Sequence, residues 1–261
     1  MNVYENGARS LDNWKRTESN YYVFHYKDKS YAHKNISKIV EEQDYRFKEI
    51  INYFPATISR KVDYWLCDSR EEVALLADNV PTNGIVSWDD NDVEDVSIYA
   101  VYNETMQCTG YHEETHAVTH FINEPSSSAL SEGTACFMEK TWWGIDNNLC
   151  TYIYYHGDKY VSVENLICDK EQEEEFFCEV KEAIAYPIMG AFVEFLFSKE
   201  EQNPGNYLKL YKYEGDDWRK EFENIYHCEL HELEKEFLNV INKRKYSKEE
   251  IAYGKERLEI V

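Results

Sequence analysis

The sequence predicts an α+β protein with strands and helices in its N-terminal half and a mostly helical C-terminal half. Two short runs rich in β-branched and aromatic residues, Tyr22–Tyr26 and Val62–Leu66, flank the amphipathic stretch Ala32–Tyr53. This order gives a strand, a helix and a second strand near the start of the chain. The most apolar run, Ala183–Ser198, is shorter than the roughly 20 residues that span a bilayer and contains Pro187, so it predicts a buried helix.

The rest of the N-terminal half continues this alternation of helices and strands. Pro55 closes the first helix, because proline cannot continue the backbone hydrogen bonding. Pro125 closes a later stretch that has glycine only at Gly110 and is otherwise free of helix breakers. In order, the sequence predicts a helix over Ser69–Asp78, a short strand over Gly84–Trp88, an alternating strand over Val96–Tyr102 and a helix over Glu104–Asn123.

The C-terminal half is predicted to be almost entirely helical. Pro125 and the serines at 126–128 predict a turn into a second helix. The stretch Glu221–Asn242 has apolar residues at helical intervals and predicts one packing helix with exposed histidines, followed from Tyr246 by a charged last helix. Because there is no repeat or low-complexity linker, we expect one domain: an N-terminal lobe at about 17–124, a helical C-terminal lobe at about 125–245 and a charged tail at 246–261.

One motif carries most of the functional information. The residues His112-Glu113-Glu114-Thr115-His116 form H-E-x-x-H within the predicted helix. Residues four apart lie on one helix face, about 6 Å apart along the axis, so both imidazoles can reach the same metal ion. Glu113 then stands beside the ion and can exchange a proton with water and with a leaving amine. Two solvent-facing histidines on an ordinary helix are the alternative.

The third metal ligand has to come from outside the motif. A catalytic zinc site needs at least three protein ligands and one open position. His120 lies about 12 Å along the helix axis from His112, too far for the same ion, and we expect it to pack in the core or to support the ligands. An extended motif would need glycine and histidine where the chain has Thr119 and Ile122. Glu132, on the next predicted helix, remains as the candidate.

These residues resemble the gluzincin metallopeptidases, and among them the small ones related to the catalytic domain of the M1 aminopeptidases. The resemblance rests on His112, Glu113 and His116 followed by the segment Leu130–Glu139, which contains S-E-G-T-A, and it extends loosely over about 21–243. It implies a zincin-like fold, with a mixed sheet and the active-site helix in the N-terminal lobe, a helical C-terminal lobe and a cleft between them. In this family the last strand before the helix forms the cleft edge, where an extended peptide can pair.

The resemblance also implies roles for individual residues. Glu132 matches the third zinc ligand. Glu139 lies two helical turns later on the same face, where a carboxylate can orient a ligand histidine. Tyr186 matches a tyrosine that donates to the oxyanion, although a packing role stays open and His156 is an alternative donor. The G-x-M-E-N segment of the aminopeptidases is absent.

Composition narrows the partners. With 50 acidic against 28 basic residues, the net charge is −22, which argues against nucleic acid and anionic membranes and favours a cationic peptide or protein substrate. Seven cysteines without a C-x-x-C pair, and a polar N-terminus without an apolar segment, predict reduced thiols in a cytoplasmic protein. Secretion after removal of a signal stays open, and the sequence does not predict the oligomeric state.

Together these observations predict a zinc-dependent peptidase that hydrolyses peptide bonds, with His112, His116 and Glu132 as ligands of Zn²⁺ and Glu113 as general base. The alternative is a non-catalytic binding protein that keeps the fold and the ion. Glu113 separates the two predictions, because a binding protein has no need of a base beside the metal.

Overall fold

The structure, a computed structural model, describes residues 13–89, 91–123, 127–179, 181–199 and 205–259. Helix accounts for 57% of it and the strands form a mixed five-stranded sheet, so the predicted α+β class is confirmed. The chain divides into two compact units, Met1–Ile122 and Asn123–Val261. The predicted turn at Pro125 and Ser126, and the first twelve residues of the polar N-terminus, lie outside the described residues.

The first unit contains the sheet and the motif helix. Every strand and helix predicted ahead of that helix is present with slightly shifted ends, and one further strand, β1, precedes them. In chain order the elements are β1 Trp14–Glu18, β2 Tyr22–Lys27, α1 Tyr31–Tyr53, β3 Val62–Cys67, α2 Arg70–Ala77, β4 Gly84–Asp89, β5 Asp92–Val101 and α3 Tyr111–His120.

The sheet has the strand order β1-β2-β3-β5-β4. The inner strands β2, β3 and β5 are parallel, whereas β1 and β4 run antiparallel to their neighbours at the two edges. The expectation that the last strand before the helix forms the edge is therefore wrong. That strand, β5, is paired on both sides, and β4 is the edge strand, because the chain reverses direction after Asp89 and β5 returns between β3 and β4.

The two faces of the sheet are covered differently. Aromatic side chains of β2 and β3, among them Tyr22, Phe24 and Tyr64, are buried on the face that also packs against α1. On the opposite face, Val73 of α2 packs with Cys67 and half-buried side chains. Successive side chains of a strand point to opposite faces of the sheet. Every second residue of these strands therefore faces the layer that contains α1 and α3.

The motif helix begins later than the sequence predicts. The helix expected over Glu104–Asn123 is limited to Tyr111–His120. The side-chain oxygen of Asn103 accepts hydrogen bonds from the backbone N–H groups of Thr105 and Met106, so the chain forms a turn there instead of a helix. Gly110 then stands before the first helical residue in an extended conformation.

The second unit is helical apart from one small hairpin. In chain order its elements are α4 Ser128–Glu139, β6 Thr141–Trp142, β7 Ile145–Asp146, α5 Asn147–His156, α6 Val163–Cys168, α7 Lys170–Glu174, a π-helical turn at Glu175–Glu179, α8 Glu182–Lys199, α9 Gly205–Tyr211, α10 Trp218–Tyr226, α11 Leu230–Lys243 and α12 Lys248–Arg257. The predicted buried helix corresponds to α8, whose residues from Ala185 to Phe197 are almost all buried.

Helices α4 and α8 pack closely because each presents a glycine to the other. A Cβ atom on Gly133 would lie 3.0 Å from the Cβ atom of Met189, and one on Gly190 would lie 2.7 Å from that of Cys136. Both distances leave no room for a side chain at either glycine. This packing fixes the middle of α4, where Glu132 precedes Gly133.

The predicted single helix over Glu221–Asn242 is instead two helices, α10 and α11. His227 has a left-handed backbone with φ of 53°, which ends a right-handed helix. His231 follows on α11, where it is exposed beside Glu229 and Glu232. The two histidines therefore do not share one helix face. The predicted charged last helix is confirmed as α12.

Candidate metal centre

Helix α3 places the two motif histidines side by side. The rings of His112 and His116 are half-buried, with centroids 5.0 Å apart and planes at 80°. Their four-residue spacing spans one turn of the helix, as the motif predicts. The opposite side of α3 is buried at Glu114, Ala117 and Val118, so the histidines occupy the less buried side.

Glu132 completes a group of three possible metal ligands. One nitrogen from each of His112 and His116 and one carboxylate oxygen of Glu132 all lie within 4.8 Å of one another. A tetrahedral zinc ion with bonds of about 2.0–2.2 Å holds its ligand atoms roughly 3.4 Å apart. The three atoms are therefore near the separation at which one ion could bind all of them. Within the described ranges, no other three His, Cys, Asp or Glu side chains come as close together.

The chemistry of this donor set fits a divalent transition metal. Imidazole nitrogen with carboxylate oxygen is a common combination for zinc, and three protein ligands leave one coordination position for water or substrate. All three side chains are half-buried. The structure supports a metal-binding group, and the donor set by itself does not identify the metal.

Glu113 lies against the edge strand. Its carboxylate oxygen Oε1 is so close to Gly84 that a Cβ atom on the glycine would come within 2.6 Å of it. Burial in the first place, and then the negative charge of Glu113, raises the pKa of the Cys108 thiol to about 11, while the positive charge of Arg70 acts in the opposite direction. Glu113 also stands in the first turn of α3, where the helix dipole favours a negative charge.

A further acidic residue of the motif anchors the helix to the sheet. Glu114 is completely buried, and its Oε1 atom accepts a hydrogen bond of 3.0 Å from the hydroxyl of Tyr64 on β3. Burial in the first place, and then the charge of Glu114, raises the pKa of Tyr64 well above its usual value. The H-E-x-x-H pattern predicts no role for Glu114, which occupies one of its variable positions. Its position four residues before Val118, on the apolar side of α3, is the signal that could have identified it.

Tyr186 lies beside Glu132 within the second unit. It is near the start of α8, and its ring packs against Trp142 and Phe177. Burial, and then the charge of Glu132 together with a hydrogen bond to it, raises the pKa of the Tyr186 hydroxyl above its usual range. The hydroxyl is thus close to one of the candidate ligands and donates a hydrogen bond to it.

The remaining predicted residues have other surroundings. His156 is exposed at the end of α5, where its Nε2 atom lies 3.0 Å from Asn242 Oδ1 and its ring packs on Tyr152. Glu139 is the half-buried last residue of α4. His120 stacks on Trp88 of the edge strand, with centroids 4.4 Å apart, and is not a member of the ligand group, as predicted.

No protein-family model matches the chain, and no curated protein matches it. Among the described residues, none of the helices combines the length and the apolar character needed to cross a membrane. No disulfide joins the six cysteines whose side chains are described.

Proposed function

We propose that this protein is a zinc-dependent peptidase with a gluzincin site on a zincin-like fold. The observation that carries the proposal is the convergence of His112, His116 and Glu132, with Glu113 on the same helix as the two histidines. The mixed sheet supports the fold assignment, because its antiparallel edge strand runs beside the motif helix.

The proposed reaction divides the work between the metal and Glu113. When bound, zinc supplies Lewis acidity, which makes water more acidic and polarises a carbonyl oxygen. The carboxylate of Glu113 accepts a proton from the attacking water and later delivers it to the nitrogen of the leaving amine. His112, His116 and Glu132 hold the metal, and Glu139 orients a ligand through a hydrogen bond.

The edge strand is the proposed support for the substrate backbone. Strand β4 pairs with β5 on one side and forms one end of the sheet. An extended peptide can add to such an edge as a further strand, bound through its main chain. Because β4 begins at Gly84, next to Glu113, a peptide bound there would have its backbone near the general base. The net charge of −22 favours cationic peptides among the substrates.

Tyr186 is the proposed donor to the oxyanion. Its hydroxyl lies beside Glu132, one of the three residues that would hold the metal, and a phenol in that position would be a hydrogen-bond donor to negative charge developing on the substrate. The same contact supports a second role, in which the hydroxyl holds Glu132 in position for the metal. The two roles predict different kinetic results for removal of the hydroxyl, and substitution of Tyr186 distinguishes them.

Cleavage of a mixed peptide library tests the proposal. The purified protein, loaded with one equivalent of zinc, is incubated with the library, and the products are identified by mass spectrometry. We expect cleavage that stops on addition of a chelator, restarts on addition of zinc, and favours peptides rich in lysine and arginine at low salt. If the zinc-loaded protein cleaves no peptide or protein substrate, the peptidase proposal fails and the non-catalytic binding protein takes its place.

A further inference from the structure

Gly84 occupies a position where any side chain would meet the proposed general base. A Cβ atom on Gly84 would lie 2.6 Å from Oε1 of Glu113, and 3.0 Å from both Cδ and Cγ of the same side chain. Gly84 is the first residue of strand β4, and its backbone is outside the left-handed region that favours glycine. The backbone conformation therefore does not explain the glycine, whereas the space taken by Glu113 does.

The edge strand is held beside the helix by contacts near both of its ends. Gly84 pairs with Ala100 of β5, and Trp88, on the same face of β4, stacks on His120 of α3. The Nε2 atom of His120 lies 3.1 Å from the backbone oxygen of Val93 in β5. These contacts fix β4 against α3 at the end of the helix opposite Glu113.

The helix is fixed as well, so the side chain of Glu113 has to yield. The buried carboxylate of Glu114 accepts a hydrogen bond from Tyr64 of the sheet, which ties the first turn of α3 to β3. The carboxylate of Glu113 stands at the end of a flexible side chain. Its rotation away from Gly84 would relieve the clash without a shift of either backbone.

We infer that Gly84 is a positioning residue, which leaves the space that lets the Glu113 carboxylate lie against the edge strand in the orientation needed for proton transfer. The inference rests on the proposed function, since it concerns the general base of the proposed reaction. A displacement of about 1 Å in a catalytic group can cost about 100-fold in rate. The position of the Glu113 carboxylate therefore depends on strand β4 as well as on the H-E-x-x-H motif.

The test uses Gly84→Ala in the full-length protein, with Ser97→Ala, on the opposite face of the neighbouring strand β5, as the control. In the zinc-loaded protein, we expect Gly84→Ala to lower kcat by about 100-fold, with KM and zinc content nearly unchanged, and Ser97→Ala to match the parent. In the metal-free protein, we expect Gly84→Ala to lower Tm when Glu113 is present. The same change should leave Tm equal or raise it in the Glu113→Ala background, where the obstructing side chain is gone.

Two results would overturn the inference. One is a kcat for Gly84→Ala equal to that of an active parent. The other is the same change in Tm with and without the Glu113 side chain, which would show that the two residues do not interact. An inactive parent would instead count against the proposed function, and the Tm comparison in metal-free protein would still decide whether Gly84 and Glu113 are coupled.

Discussion

Glu132 is the residue that turns a pair of histidines into a possible metal centre. It lies on α4, outside the motif, and its carboxylate oxygen comes within 4.8 Å of the ligand nitrogens of His112 and His116. Two histidines on one helix leave the site short of the three protein ligands that a catalytic zinc needs. The metal affinity should therefore depend strongly on this one carboxylate.

Substitution of Glu132 tests the ligand assignment. We expect the parent to bind about one zinc per chain, and Glu132→Ala to bind it more than about 100-fold more weakly, since even residues that only support ligands contribute 10–100-fold. Competition with a chromogenic chelator measures the affinity. Glu256→Ala, at an exposed position on α12, serves as the control. Unchanged affinity in Glu132→Ala would show that another residue is the third ligand.

Tyr186 allows its two proposed roles to be separated by removal of one oxygen atom. If the hydroxyl stabilises the oxyanion, Tyr186→Phe should lower kcat by about 100–1000-fold at saturating zinc, with little change in KM. If it only holds Glu132, the zinc affinity should fall and kcat at saturating zinc should stay near that of the parent. Steady-state kinetics over a range of free zinc concentrations measure both quantities.

One outcome would exclude both proposed roles of the Tyr186 hydroxyl. Tyr253→Phe, at an exposed position, is the control for loss of a hydroxyl. Should Tyr186→Phe lower the free energy of unfolding by about 1 kcal/mol and change neither kcat nor zinc affinity, Tyr186 has only a packing role. His156, bound to Asn242, would then be the next residue to substitute.

The candidate ligands could be predicted from the sequence, whereas the contacts that support them could not. The helical repeat alone places His112 and His116 on one face, and the resemblance adds Glu132. The clearance at Gly84 depends on a strand that lies about 30 residues before the motif in sequence and meets it only after folding. A single glycine at the start of a short strand carries no local sign of such a contact.

A buried hydrogen bond connects the motif helix to the sheet. Tyr64 on β3 donates to the completely buried carboxylate of Glu114, two residues from each motif histidine. A hydrogen bond to a charged group contributes about 1.5–3 kcal/mol. This contact attaches the first turn of α3, which has no side-chain cap, to the sheet.

We therefore expect Tyr64→Phe to lower the free energy of unfolding by about 1.5–3 kcal/mol in metal-free protein. Chemical denaturation measures the change, and Tyr155→Phe on the surface of the second unit is the control. The effect should be smaller in the Glu114→Gln background, because the charge that strengthens the hydrogen bond is gone. Equal losses in both backgrounds would mean that the hydroxyl does not act through Glu114.

Local sequence patterns predict the wrong ends for some of the helices. Asn103 captures two backbone N–H groups in a turn, so the chain ahead of Tyr111 does not continue the helical pattern that its composition suggests. At His227, a left-handed backbone divides a stretch whose apolar spacing predicts one continuous helix. Both events depend on single residues whose side-chain or backbone geometry opposes the average propensity of their neighbours.

The fold class followed from the sequence, but the arrangement of the strands did not. Alternating residues in β2, β3 and β5 identify the strands, while the insertion of β5 between β3 and β4 arises from pairings between distant residues. Strand β1, W-K-R-T-E, has little apolar alternation because three of its five residues are exposed, so local patterns do not predict it. The resemblance implies an edge position for β5, which β4 occupies in the structure.

The most direct test of the proposed reaction is the exchange of one oxygen for nitrogen in the side chain of Glu113. We expect Glu113→Gln to bind zinc as tightly as the parent and to lose turnover by about 100–10,000-fold, the range typical of general acid–base catalysis. Zinc affinity and cleavage of the best library peptide are measured side by side, with Glu104→Gln, at an exposed position ahead of α3, as the control. A Glu113→Gln protein that cleaves the peptide at the parent's rate would contradict the role of Glu113 as general base.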